Sequence, residues 1–198
     1  MNAIRWAVTG LAALLLISCS QPPVPEDHFY RLQVTGPSTA VAKPRLNGVL
    51  EVATLQADGL TAGRPITFTD AARPYLLNEY HYHFWTEPPS ILLHDALVTY
   101  LRTSGVAREV VTPELRLEPD FVMTGKILRL EQVRGNPPKV AAKIEVALRD
   151  RTEDRLLLVR TYEIENEVAG PGVGDAVVGL NAAVSEIYGR LVADISAL

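Results

Sequence analysis

The chain has 198 residues, 47% of them hydrophobic and 21% charged, which is sufficient for one domain with a sizeable core. The formal net charge is −4, and no run of Lys and Arg forms a basic patch, so a nucleic-acid-binding protein is not expected. Cys19 is the only cysteine, which excludes a disulfide within the chain.

The first 18 residues have the composition of a secretory signal. Residues 6–17 are almost wholly apolar, which is shorter than the run of about 20 residues that a membrane-spanning helix needs. The run ends in Leu16-Ile17-Ser18-Cys19, which resembles a bacterial lipobox. We therefore predict a signal peptide over residues 1–18, cleavage before Cys19, and lipidation of that cysteine. The alternative is an ordinary buried cysteine after an apolar helix, which the polar, proline-rich stretch that follows disfavours.

Residues 19–27 are predicted to be the lipidated cysteine and a flexible tether. The stretch contains three prolines among polar residues, so it is expected to be extended and solvated and to span roughly 25 Å. Ser20 occupies the position at which, under the enteric sorting rule, aspartate retains a lipoprotein in the inner membrane. The serine therefore favours the outer membrane, with the domain facing the periplasm.

We predict that the domain occupies residues 28–198. Its first half is predicted to form short strands, with one helix before the last of them. Strands are predicted at 29–34, with Tyr30, Leu32 and Val34 on one face, and at 49–55, 66–69, 76–85 and 106–111. Between the last two strands, Pro88-Pro89-Ser90 opens a helix that Ser90 can cap and Gly105 can end. Its apolar positions recur at helical spacing: Leu93, Leu97, Tyr100 and Leu101.

The second half contains the clearest periodicities. After an extended segment at 121–133, apolar and largely polar residues alternate from Val140 to Leu148. Segment 156–167 alternates in the same way, with Leu156, Leu158, Tyr162 and Ile164 facing inward. A long helix over 173–195 presents one apolar stripe: Val173, Val177, Leu180, Val184, Ile187, Leu191 and Ile195. These elements predict a single α+β domain with an antiparallel-rich mixed sheet packed by two main helices.

Few residues suggest reactive chemistry. His81 and His83 are two apart and could share a strand face, but a zinc site needs three or four ligands, so no metal site is predicted. The glycine-rich stretch 170–174 precedes a helix but lacks the lysine of a phosphate-binding loop, and it is interpreted as a strand-to-helix turn. Glu163, Glu165 and Glu167 share one strand face, which favours a solvated or partner-facing surface over catalysis.

The aromatic segment 80–85 is the most distinctive candidate for binding. Alternation places Tyr80, Tyr82 and Phe84 on one face and Trp85 on the other. Either Trp85 is core and the tyrosines pack across strands, or the exposed tyrosines form part of a protein interface. The sequence favours the packing role and leaves the interface open.

Several segments, taken in order, resemble the ABC-type transport auxiliary lipoprotein family. They cover nearly the whole chain after the tether: Phe29-Tyr30-Arg31-Leu32, Val49-Leu50-Glu51-Val52, the segment from Gly59 to Ile66, Trp85-Thr86-Glu87-Pro88-Pro89, the amphipathic helix to Leu101, the strand from Asp120 to Ile127 with its central glycine, and the C-terminal helix.

The resemblance implies a non-enzymatic protein without a cofactor. Its expected partners are a periplasmic substrate-binding protein of the Mce type and the cognate inner-membrane ABC transporter, in a system that moves lipids or other hydrophobic molecules between membranes. It also raises the expectation of a homo-oligomer. Two alternatives stay open: an assembly or scaffolding lipoprotein of another outer-membrane machine, and a lipid-anchored hydrolase using His81 and His83.

Overall fold

The computed structural model describes residues 25–198, so the predicted signal peptide and Cys19 lie outside the described part of the chain. Its strands and α-helices, in chain order, are β1 (His28–Tyr30), β2 (Leu46–Val52), β3 (Gln56–Ala57), β4 (Pro65–Asp70), β5 (Arg73–Trp85), α1 (Pro89–Ser104), β6 (Ala107–Val111), β7 (Phe121–Arg134), β8 (Lys139–Asp150), β9 (Arg155–Glu167) and α2 (Val173–Ser196). The predicted α+β class, with one mixed sheet and two helices, is confirmed.

Strand β7 is the central strand of the sheet and has neighbours on both sides. One side of β7 pairs with β8 in an antiparallel ladder from Phe121 to Val133. The other side is shared by β2, β3 and β4, which pair with it in succession and in parallel. The outer strands then add β6 beside β2, and β5 and β1 beside β4. Parallel pairings are therefore more numerous, but the two long ladders, β7–β8 and β8–β9, are antiparallel.

Helix α2 lies against the β7–β9 part of the sheet. Every residue of its predicted apolar stripe is buried, as are the five predicted inward residues of β8, Val140, Ala142, Ile144, Val146 and Leu148. Burying each large aliphatic side chain contributes about 1.5–3 kcal/mol. By length and composition α2 could cross a membrane. However, half of its most apolar 18-residue stretch is buried in the domain, where α2 serves as the core helix.

Helix α1 joins the core through polar contacts as well as apolar ones. The buried Tyr188 hydroxyl of α2 donates to the carbonyl of Leu93 at 2.7 Å, and the Tyr188 ring meets Tyr100 edge-on at 5.7 Å. His94 is also buried, with its Nε2 3.0 Å from the carbonyl oxygen of Val52 in β2. These contacts hold α1 against both α2 and β2. The predicted helix start is correct, but Ser90 does not cap it: the N-cap residue is Pro88, and the cap makes no side-chain hydrogen bond.

The predicted strand at 29–34 is shorter in the structure. Only His28–Tyr30 pairs with the sheet, and residues 31–45 form a strap across α1 and α2. The backbone N–H groups of Gln33 and Thr35 donate to the side chains of Asn181 and Ser185, which replace a strand partner. Leu32 and Val34 nevertheless pack against the core, as their pattern predicted.

The prediction that Leu156 faces inward is wrong. The β8–β9 register shifts between Leu148 and Arg149, which leaves Leu157 as an extra residue in β9. Such a bulge reverses the alternation beyond it. Leu156 is therefore 59% exposed, and Leu157 packs partly against the core instead.

Gly125 provides a test of how closely β7 and its neighbours pack. A Cβ atom at this position would lie 2.8 Å from the backbone oxygen of Glu145 and 2.8 Å from a methyl of Leu55. We expect Gly125→Ala to lower the free energy of unfolding by about 1–3 kcal/mol, because the β8 backbone must shift. Urea unfolding followed by circular dichroism measures this.

Gly174→Ala is the matched control. Nothing lies within 4 Å of a Cβ atom there, at the start of α2. Its stability should stay equal or rise by up to about 1 kcal/mol, because alanine favours helix. Equal stabilities of the two variants would contradict the close packing at Gly125.

Candidate functional site

The tether joins the domain at one edge of the sheet. Residues 25–27, the described part of the predicted tether, are exposed and lead directly into β1. Strand β1 pairs in parallel with the end of β5, with His28 opposite His83 and Tyr30 opposite Trp85. The point of attachment therefore lies beside the aromatic segment that the sequence singled out.

Four aromatic side chains of β1 and β5 form a set that we call the aromatic edge: Phe29, Tyr75, Tyr82 and Phe84. Phe29 and the half-buried Phe84 lie at the attachment point, whereas Tyr75 lies farther away, near the start of β5. Tyr75 is fully exposed, Phe29 is 56% exposed and Tyr82 is 40% exposed. The Phe29 ring stacks on Phe84 at 5.7 Å between centroids. Arg64 lies over Phe29 at 5.4 Å, and its Nε donates to the carbonyl of Trp85 at 3.1 Å. A cation over an aromatic face is favourable, so the exposed Phe29 ring is held in place.

The prediction that Tyr80, Tyr82 and Phe84 share one face is wrong for Tyr80. Phe68 pairs with Asn78, but Pro65 pairs with Phe84, so the β4–β5 register slips by three residues. An odd slip reverses the alternation, which places Tyr80 on the face of Phe68 and of Trp85. The Tyr80 ring accordingly lies 4.5 Å from Phe68. Trp85 is core, with 1% exposure, as the packing interpretation predicted.

Histidines hold β1 in place on the face of the sheet that carries Phe68, Tyr80 and Trp85. The His28 and His83 rings are stacked at 5.1 Å, and the Tyr30 hydroxyl lies 2.9 Å from Nδ1 of His83. Burial and the neighbouring His28 lower the pKa of His83, which favours its neutral form. His81 points elsewhere, with its ring 6.5 Å from that of Tyr82. His83 thus stacks on His28, whereas the His81 ring lies nearest to that of Tyr82 among the aromatic contacts, and residues 25–198 contain no group of three or more His, Cys, Asp or Glu placed to hold a metal ion.

A buried glutamine links this face to α2. The Tyr80 hydroxyl donates to Oε1 of Gln132 at 2.6 Å, and Nε2 of Gln132 donates to the carbonyl of Pro171 at 2.9 Å. Pro171 belongs to the glycine-rich stretch 170–174, which is the turn between β9 and α2, as the sequence indicated. The Asp175 carboxylate lies against Gly170 and Gly172, so side chains at those positions would collide with it.

Two of the three glutamates of β9, Glu163 and Glu165, form ion pairs with basic residues of β7 and β8, and Glu167 is exposed at the end of the strand. Glu163 lies 2.8 Å from Lys143 and 3.4 Å from Arg129, and Glu165 lies 3.3 Å from Lys139. The hydrogen bond from Lys143 is the main reason that the pKa of Glu163 is lowered. This is the paired, solvated face that strand alternation favoured.

Arg129 also binds the buried Glu131 at 2.7 Å, and sequence reasoning missed this pair. The two residues stand two apart after a bulge at Leu128, where the β7–β8 register shifts. Nothing in the local sequence marks that bulge.

Comparison with known proteins identifies the domain. The family model for the ABC-type transport auxiliary lipoprotein component matches residues 30–195. A crystal structure of protein XCC0632 from Xanthomonas campestris, assigned to the family model DUF330, has a TM-score of 0.70 at 20% identity and covers 83% of this chain and 92% of that chain. No curated protein matches.

A more distant fold relative is PelC from Paraburkholderia phytofirmans, crystallised as a dodecamer. Its TM-score is 0.51 at 12% identity, with 80% of this chain and 95% of that chain covered. At these identities the structural likenesses show a shared fold. The family match extends from β1 to the end of α2, and so the chain belongs to the family of ABC-type transport auxiliary lipoprotein components.

Proposed function

We propose that this chain is a non-enzymatic, outer-membrane-anchored periplasmic lipoprotein that serves an Mce-type ABC transport system. The system would move lipids or other hydrophobic molecules between the inner and outer membranes. The observation that carries the proposal is the family match over residues 30–195, directly after a lipobox and a tether.

The aromatic edge is where we place the contact with the periplasmic Mce-domain partner. One end of it adjoins β1, where the tether leaves the domain, and it extends along β5 to Tyr75. Tyrosine and other aromatic residues are enriched at the centres of protein interfaces, where a few of them supply most of the binding free energy. Tyr75 and Tyr82 are exposed although each is a large side chain.

Lipid anchoring through Cys19 is the first testable element. Cys19→Ala removes the thiol that takes the lipid, so we expect the protein to lose stable attachment to the outer membrane. Ser20→Asp should instead leave it lipidated and move it to the inner membrane under the enteric sorting rule. Membrane separation on a density gradient with immunoblotting measures both. Finding the unaltered protein in the inner-membrane fraction would refute outer-membrane anchoring.

Co-purification of the full-length lipoprotein from native membranes tests the partnership. Mass spectrometry of the eluate should find an Mce-domain protein and its ABC transporter. The double variant Tyr75→Ser/Tyr82→Ser should recover about tenfold less of the Mce-domain protein, since a loss of about 1.4 kcal/mol changes an equilibrium constant tenfold.

Val178→Ser is the matched control, because Val178 is 69% exposed on α2, away from the aromatic edge. It should recover as much partner as the unaltered protein, and both variants should keep the thermal midpoint. Equal recovery with both variants would exclude the aromatic edge as the contact. An eluate holding only another outer-membrane machine would overturn the transport role.

A further inference from the structure

A groove separates the first part of the strap from α1. The strap is fastened to α2 through the N–H groups of Gln33 and Thr35, and it joins α1 only later, where the N–H of Val41 donates to the carbonyl of Ser104 at 2.7 Å. In the part of the chain that the structure describes, no hydrogen bond joins residues 31–36 to α1. The groove left between them has a volume of about 480 Å³, and sites for small molecules are typically about 300–1,000 Å³.

The walls of this groove are largely hydrocarbon. Four aliphatic side chains line it that are only partly buried against the core: Leu32, Val34, Leu92 and Ala96. Thr99 and Thr103 also line it, but their hydroxyls donate to carbonyls of their own helix, those of Asp95 and Thr99, at 2.8 and 2.9 Å. The threonine hydroxyls are therefore already paired, and the groove suits an apolar ligand.

Tyr100 supplies an unused hydrogen-bond donor in this groove. Its side chain lines the groove and is only 7% exposed, yet its hydroxyl makes no hydrogen bond within residues 25–198. Every fully buried side-chain nitrogen or oxygen in that range does have a partner, so the Tyr100 hydroxyl must reach the surface, and the groove is the surface that Tyr100 lines. Burial raises the pKa of Tyr100, so the hydroxyl keeps its proton and can donate.

A single donor in an apolar groove selects the chemistry of the ligand. An extended peptide carries an N–H and a C=O at each residue, and the side chains that line this groove offer too few partners for them. An acyl chain of a lipid has one polar group at its end, the ester carbonyl, which one hydroxyl can satisfy. Asp95 is the only charged side chain among the described residues that line the groove, and its carboxylate would repel the carboxylate of a free fatty acid.

We propose that the groove between the strap and α1 holds one acyl chain of an esterified membrane lipid, with the Tyr100 hydroxyl donating to its ester carbonyl. The aliphatic residues of the strap and of α1 pack along the chain from its two sides. This inference rests on the proposed function only for the source of the lipid, which a transport system would supply. Binding itself needs no transport partner, so the two proposals can fail separately.

Photo-cross-linking of the full-length lipoprotein in vesicles tests the inference. The vesicles consist of phosphatidylethanolamine and phosphatidylglycerol, with a trace of phosphatidylethanolamine that carries a diazirine in one acyl chain. Mass spectrometry after illumination and proteolysis should find the label on residues 32–36 and 92–103. Ala96→Trp should reduce this labelling about tenfold, because its indole ring occupies the space that the chain needs. Val178→Trp, on an exposed position of α2, is the matched control and should be labelled there as strongly as the unaltered protein.

Two tyrosine variants separate lipid binding from stability. Tyr100→Phe should reduce the labelling about fivefold at sub-saturating probe, because the ring stays and one neutral hydrogen bond is lost. Its thermal midpoint should not change, since the hydroxyl has no partner within the domain to lose. Tyr188→Phe should show the opposite pattern, a lower thermal midpoint with full labelling, because it removes the buried 2.7 Å hydrogen bond to the carbonyl of Leu93.

Three results would overturn the proposed site. One is full labelling of the strap and α1 in Ala96→Trp, and another is full labelling of these segments in Tyr100→Phe. The third is labelling that occurs only when Cys19 is replaced by alanine, because the groove would then be filled by the protein's own N-terminal lipid.

Discussion

The structure depends on hydrogen bonding along both sides of β7. A single 14-residue strand pairs with β8 on one side, and on the other it aligns three short segments, β2, β3 and β4, of which β2 and β4 also pair with β6 and β5. Close approach at Gly125 lets β8 and Leu55 meet there without a side chain between them. At the beginning of β7, the Asp120 carboxylate accepts a hydrogen bond from the N–H of Val49, in the space left by Gly48. The acidic residue and the central glycine of this segment, which carry part of the family resemblance, are therefore requirements of strand pairing.

Periodicity predicts the elements whose backbone is regular. The stripe of α2 and the inward row of β8 are buried at every predicted position, because a regular helix or strand keeps its period from end to end. Tyr80 and Leu156 follow the same kind of pattern, and their predicted faces are wrong. In each case a bulge inserts an odd number of residues, and only the register with the neighbouring strand reveals it. The strap at 31–45 escapes prediction for a related reason, since its hydrogen-bond partners on α2 are about 150 residues away.

The residue types of the aromatic edge could be predicted from the sequence, but the positions of its side chains could not. The aromatic segment and the core role of Trp85 follow from residue type and alternation, whereas the stacking of Phe29 on Phe84 requires β1 to pair in parallel with β5, which no local pattern encodes. The exposure of Tyr75 near the start of β5 likewise coincides with a register shift between β4 and β5, which the local sequence does not mark. Cys19 is the converse case, since its predicted lipidation rests on sequence chemistry and the residue lies outside the described part of the chain.

The strap has a mechanical consequence for a protein held at its N-terminus. Any pull on the tether reaches the domain through β1, a three-residue strand, before it reaches the long ladders of β7 and β8. Beyond β1, the strap is fastened to α2 by the side chains of Asn181 and Ser185. Detaching β1 and the strap would release residues 28–45, which at ~3.3 Å each add roughly 60 Å of reach. Under a pull on the N-terminus, the N-terminal end of the fold would therefore extend before the long ladders of β7, β8 and β9 separate.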